Sequence, residues 1–332
     1  MQRRDALKSI LAAAIGCATD RTVAAEPAIP VIDAHIHLFD PTRPSGVPWP
    51  EKTDPIYRPS LPDRYAGIAR PFGVVGAIAI EASPLKSDND WVLQQAANHP
   101  IIVGFVGDLI PGDPSFAKDW DRLRSNPLFL GIRYGNLWQR DLRLDIGKQG
   151  FVDDLRRMAA SGGVLDTANP DANLIRAVLN VADRVPELRI VIDHLPNAVM
   201  PEDQAGRAEF QANLKTLSQN PRVFIKLSEI PVKVGNRVPT EVSFYRERLD
   251  ALWNIFGEDH ILFGSDWPNS DHIASYGETF RIVRAYVAIK GRQAEEKFFW
   301  KNSVPAYRWR RRAPDQPRGW QQEPFRTRRH LD

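Results

Sequence analysis

The sequence predicts a single-domain α/β fold, a (β/α)8 TIM barrel. Three observations predict it. Eight short apolar runs alternate with longer stretches whose apolar residues recur at three- and four-residue spacing. The units fill about 280 residues, close to the roughly 250 of a typical barrel of this kind. The first run, followed through Asp40, contains no glycine. A doubly wound open sheet would want a glycine-rich turn after its first strand, so that alternative is disfavoured.

The expected strands are 31–37, 73–82, 101–109, 128–134, 163–166, 189–193, 222–228 and 260–266. Expected helices lie at 89–98, 171–183, 210–217, 243–256 and 273–289. Strands that alternate with helices pair in parallel through crossovers. The longest irregular segment, 41–62, carries seven prolines together with Trp49 and Tyr57. It follows the first strand on the face where barrels of this type place their sites, so it is expected to act as a lid. Trp49 and Tyr57 would form its apolar wall.

The two ends read differently from the 26–307 barrel. Residues 1–25 have the form of an export signal: Arg3 and Arg4, an apolar run over 10–17, then Val23-Ala24-Ala25 as a cleavage site. The order Arg3-Arg4-Asp5-Ala6-Leu7-Lys8 resembles a twin-arginine (Tat) signal, which implies an exported, periplasmic protein. Cys17 after Ala14-Ile15-Gly16 weakly resembles a lipid attachment site, and it is the chain's single cysteine. Intramolecular disulfides and cysteine-rich zinc modules are therefore excluded. Residues 308–332 hold eight arginines against Asp315, Glu323 and Asp332 and are expected to form a basic, extended, solvated tail. The formal charge of +3 thus belongs to the ends, and the 26–307 body carries −4. Nucleic acid is not expected as a partner, and no apolar run reaches the roughly 20 residues of a membrane span.

Candidate chemistry gathers at the strand ends. In the first strand, Val31-Ile32-Asp33-Ala34-His35-Ile36-His37, strict alternation sends Asp33, His35 and His37 into the barrel and Ile32, Ala34 and Ile36 towards the helices. Buried imidazoles need partners, and two of them two residues apart can chelate one divalent cation. Asp266, ending the eighth strand, would lie beside them as a metal ligand or as a base towards water. Alternation places His194 in the mouth with Ile190 and Ile192. Arg133 and Lys226 are inward cations that suit a carboxylate-bearing substrate, or that neutralise Glu81 or Asp266. His272 follows the eighth strand and could line the site.

These motifs, with Asp193-His194, Phe263-Gly264-Ser265-Asp266-Trp267-Pro268, Gly104-Phe105-Val106-Gly107-Asp108-Leu109, Gly131-Ile132-Arg133-Tyr134 and Lys226-Leu227-Ser228, resemble the amidohydrolase-related barrels over residues 30–307. The most similar branch is lactonase-like, with pyrone dicarboxylate and sugar-lactone lactonases. The resemblance implies a hydrolase in which Asp266 activates water, while His35, His37 and His194 bind a metal or polarise the substrate carbonyl. No histidine occurs between His99 and His194, unlike the wider metallohydrolase pattern, so a dinuclear centre is not expected. One zinc-like ion on His35, His37 and Asp266 and a metal-free site both stand open. The substrate expected is a small acidic lactone held by Arg133 and Lys226. The rivals are a metal-dependent decarboxylase of an aromatic acid and a non-catalytic binder of an acidic ligand.

Overall fold

The computed structural model describes residues 28–321. The signal at 1–25, the Cys17 anchor and the end of the basic tail lie outside the described residues. Eight parallel strands follow one another in chain order: β1 (Val31–His37), β2 (Val74–Ile80), β3 (Ile102–Gly107), β4 (Phe129–Arg133), β5 (Val164–Asp166), β6 (Arg189–Ile192), β7 (Val223–Leu227) and β8 (Ile261–Phe263). The chain beyond β8 closes on β1 through a parallel bridge between Ile36 and Trp267, where the His37 N–H donates to the Trp267 carbonyl at 2.7 Å. The expected (β/α)8 TIM barrel is therefore the observed one.

Helices surround it: α1 (Pro62–Ala69), α2 (Lys86–Asn98), α3 (Phe116–Arg124), α4 (Leu142–Asp145), α5 (Gln149–Ala160), α6 (Ala172–Arg184), α7 (Gln204–Ser218), α8 (Val242–Phe256), α9 (Tyr276–Ala288), α10 (Arg292–Glu296) and α11 (Ser303–Tyr307). The five expected helices are α2 and α6 to α9. Charged faces hide α3 and α5 in the sequence, yet each buries one apolar stripe, Phe116, Trp120 and Leu123 in α3 and Phe151, Val152, Leu155 and Met158 in α5. Among the described residues no helix is long and apolar enough to cross a membrane.

The facing of β1 corrects the expected alternation. Ile32 and Ala34 belong to one buried cluster with Ile78, Val103, Leu130, Val164, Val191, Phe224 and Leu262. Only the barrel interior can bring side chains of all eight strands together. Asp33 instead points into the helix layer, where Tyr65 of α1 and Tyr276 of α9 donate to its Oδ2 at 2.9 and 3.2 Å. The register against β2 slips between Asp33 and Ile36. Such a bulge inserts one residue and resets the alternation, so Ala34, His35 and His37 all reach the inside.

The tail also departs from expectation. Residues 308–321 form neither helix nor strand, but they are not solvated throughout. Trp309 is fully buried in the interior cluster, and its Nε1 donates to Ser303 Oγ at 2.9 Å. The Arg312 guanidinium donates to the carbonyls of Ala96 and Ala97, satisfying orphan C-terminal groups of α2, and to that of Ile102 at the start of β3. The segment is a clasp across the bottom of the barrel. Trp309→Ala is expected to cost about 3–5 kcal/mol of unfolding free energy, measured by urea denaturation. A loss below about 1 kcal/mol would fit a solvated tail instead.

Candidate active site

The strand ends gather the side chains that carry chemistry. His194, Glu229 and Asp266, just past β6, β7 and β8, all have left-handed backbone angles, with φ of 63°, 54° and 59°. Non-glycine residues avoid this region, and here it breaks alternation. Ile190 and Ile192 face the helices, so alternation would send His194 outwards as well; the left-handed turn brings it in behind Asp193. Gly264 supplies close approach at the same level, because a Cβ there would stand 2.8 Å from the Cβ of His35.

Asp266 is fully buried beneath the mouth. Its Oδ1 lies 3.1 Å from His37 Nε2 and 3.4 Å from His35 Nε2, and those two nitrogens are 3.2 Å apart. Asn269 donates to its Oδ2 at 2.7 Å. Burial alone would raise this carboxyl, but the His37 ring against it and the field of the three imidazoles hold it well below the usual range. Asp266 is therefore a carboxylate at neutral pH. Ser228 Oγ and His194 Nδ1 share a hydrogen bond of 3.0 Å, which fixes that ring.

The donor set can be tested for a metal. His37 Nδ1 bonds the Ile80 carbonyl at 3.1 Å, and a carbonyl can only accept, so the network assigns the proton to Nδ1. In a neutral ring this leaves Nε2 bare, facing a carboxylate oxygen at 3.1 Å. Two lone-pair atoms this close call for a positive charge between them. Ligands about 2.0–2.1 Å from a tetrahedral zinc stand roughly 3.3 Å apart, which matches the spacing of these three atoms. Ligand atoms of His35, His194 and Asp266 also lie within 4.8 Å of one another. The residues fit a divalent cation.

Lys226 does not reach the mouth. It is fully buried below the histidines, with Nζ 2.7 Å from both Asp166 Oδ2 and Asp193 Oδ1 and 3.2 Å from His35 Nδ1. Its charge is consumed by two carboxylates, which corrects the expectation that it holds substrate. Burial would raise Asp193, yet the Lys226 ammonium holds it far down, whereas burial lifts Asp166 to about 7 despite the same ammonium. The pair therefore holds one firm carboxylate and one that readily takes a proton. Arg133 does line the mouth, but its Nε donates to Glu81 Oε1 at 2.8 Å, so the neutralising reading is the one realised.

Above these groups lies a cavity of about 180 Å³, lined by His37, Trp49, Arg133, Trp138, Asn169, His194, Glu229, Asp266 and Asn269, with Ala82 and Leu137. It is smaller than the roughly 300 Å³ at which drug-sized pockets begin, so it suits a single small ring. Trp49 meets His37 edge-on with centroids 5.7 Å apart, as expected of a lid residue. Tyr57 does not line the cavity. Nor does His272, whose Nε2 instead pins the lid through Asp54 Oδ1 at 2.7 Å. Sequence reasoning missed Trp138, Asn169, Glu229 and Asn269. Glu229 directly follows the recognised Lys226-Leu227-Ser228 motif, and Asn269 stands one helical turn past Asp266, so both positions carried a signal. Trp138 and Asn169 sit on loops with no period to read.

Residues 32–309 match the amidohydrolase family model. The chain belongs to the amidohydrolase family. Among its amidohydrolase relatives, L-fucono-1,5-lactonase of Burkholderia ambifaria is 27% identical over 297 residues, covering 86% of this chain and 98% of that protein. An amidohydrolase from Burkholderia multivorans solved with bound zinc superposes with a TM-score of 0.73 at 21% identity, covering 84% of this chain and 99% of that one. A 2-pyrone-4,6-dicarboxylic acid hydrolase described as putative, from Pseudomonas putida, gives 0.63 at 22% identity over 85% and 98%. The chain is a hydrolase of this family.

Proposed function

We propose that this amidohydrolase opens a small lactone ring, with Asp266 as the base. The observation that carries the reading is a buried carboxylate, held ionised, at the floor of a ring-sized cavity and against three imidazoles. Asp266 takes a proton from water as its oxygen bonds to the lactone carbonyl carbon. The imidazoles that face the cavity stabilise the oxyanion that develops. The ring C–O bond then breaks, and the proton returns from Asp266 to the leaving alkoxide. A carboxylate is a weak base, which suits an activated ester better than an amide. A single divalent ion held by His35, His37, Asp266 and His194 would supply Lewis-acid polarisation of the carbonyl when bound.

The cavity favours a neutral, hydroxylated lactone over the acidic one expected from sequence. Lys226 is sealed below, and Arg133 is committed to Glu81. What remains at the wall is Asn169, Asn269 and Glu229, which suit hydroxyl groups, between the two tryptophans Trp49 and Trp138. Neutral aldonolactones are therefore expected to exceed carboxylate-bearing lactones of the same ring size in kcat/KM by about tenfold or more, near 1.4 kcal/mol of transition-state binding. Preference for the acids would return Arg133 to the role of substrate holder. Export to the periplasm remains part of the proposal and rests on the twin-arginine pattern alone.

A further inference from the structure

We propose that the bottom of the barrel, opposite the mouth, carries an anion site in which Arg189, Arg222 and Arg308 bind a phosphate-type oxyanion. Arg189 opens β6, and Arg222 immediately precedes β7 on the adjoining strand, where its carbonyl accepts from the Ile190 N–H at 2.9 Å. Arg308 follows α11 in a left-handed conformation, with φ of 54°. Its Nη1 stands 3.4 Å from where a Cβ on Gly162 would lie, and Arg189 Nη2 donates to the Gly162 carbonyl. Two guanidinium groups from two segments thus converge on one loop, and the charge of Arg222 acts on both.

Their partners do not balance them. Arg189 is nearly fully buried, at 5% exposure, and its hydrogen bonds go to the carbonyls of Ala306 and Gly162. Arg308 stacks on Trp320 at 4.6 Å, and its Nε is buried without a hydrogen-bond partner. Arg222 pairs with Glu187, which is largely exposed. Among the described residues no carboxylate forms an ion pair with Arg189 or Arg308. A guanidinium buried without a counter-charge is costly. Burial and the neighbouring Arg308 and Arg222 push the Arg189 guanidinium down to about 9. Guanidinium forks match tetrahedral oxyanions bidentately, and a dianion would balance what Glu187 leaves. The ligand chemistry is a phosphate or phosphomonoester, either free or as a lipid headgroup.

The test titrates the full chain with inorganic phosphate at constant ionic strength, by calorimetry, with chloride as control. Saturable binding is expected in the native protein and a loss of about tenfold or more in each of Arg222→Gln and Arg308→Gln. Both positions are partly exposed, and circular dichroism melting verifies their folding. Phosphate binding no stronger than chloride binding, or binding unchanged in folded Arg222→Gln and Arg308→Gln, overturns the site. Sedimentation with vesicles of phosphatidylcholine containing phosphatidic acid separates the sources. Vesicle binding that free phosphate displaces, and that both variants lose, assigns a headgroup. Phosphate binding without vesicle binding assigns a soluble ligand. Vesicle binding that survives in both variants, with no phosphate binding, belongs to the basic tail and counts against the site.

Discussion

Asp266→Asn is expected to lower kcat on lactone substrates by about 10³-fold, within the 10²–10⁴ range of general acid–base contributions, while the barrel stays folded. Asparagine has the same shape and can still meet Asn269 and the histidines. What it lacks is the charge and the basicity. The lowered carboxyl means that its surroundings favour the charged form by more than burial costs, so the amide is expected to melt somewhat below the native protein while still folding cooperatively. The two readouts separate chemistry from structure: steady-state turnover should collapse, and circular dichroism melting should not. Turnover within about tenfold of native in a folded variant would assign the base elsewhere, and Glu229 at the rim would be the first place to look.

The second large effect is structural. Lys226→Met is expected to cost about 3–5 kcal/mol of unfolding free energy, the range seen when one partner of a buried pair is removed. Methionine fills the stem but leaves Asp166 and Asp193 without their ammonium. Both carboxyls then rise from their native values, because the ammonium that most opposes their burial is gone. A group raised in the folded state contributes stability that is present at low pH and lost as pH rises through its folded value. The deficit of the variant is therefore expected to be smallest near pH 5 and to grow towards pH 8. Urea midpoints across that range measure it. A deficit that shrinks as pH rises, or none at all, would mean that Lys226 is not the counter-ion of this pair.

Much of the molecule was legible in the sequence, and the failures have identifiable causes. The barrel was readable because eight apolar runs are set by burial on both faces, a condition that composition records directly. The cluster of His35, His37, His194 and Asp266 was readable because its residue types are out of place in an apolar strand. Facing was not, because alternation assumes a regular strand. The bulge after Asp33 in β1 brings His35 and His37 inwards while Asp33 faces the helices, and the left-handed residue at 194 turns that histidine inwards. Depth was not legible either. Lys226 does point inwards, as its parity with Ser228 predicted, but it lies one layer too low to meet a substrate. Trp309 was hidden by its basic neighbours, since charge density reads as solvation even where one side chain is buried. Trp138 and Asn169 depend on loop paths that no periodicity encodes.

The central claim is that water opens a lactone ring at Asp266, and ring opening can be observed directly. The native protein is mixed with neutral five- and six-membered aldonolactones near pH 7, and proton release is followed alongside the hydroxy-acid product by NMR. Catalysed consumption of a lactone with one hydroxy acid formed per ring, above the spontaneous rate and absent in Asp266→Asn, is the result expected. Native protein that leaves every lactone at its spontaneous rate, or a product that has lost carbon dioxide from an aromatic acid offered in parallel, would contradict it.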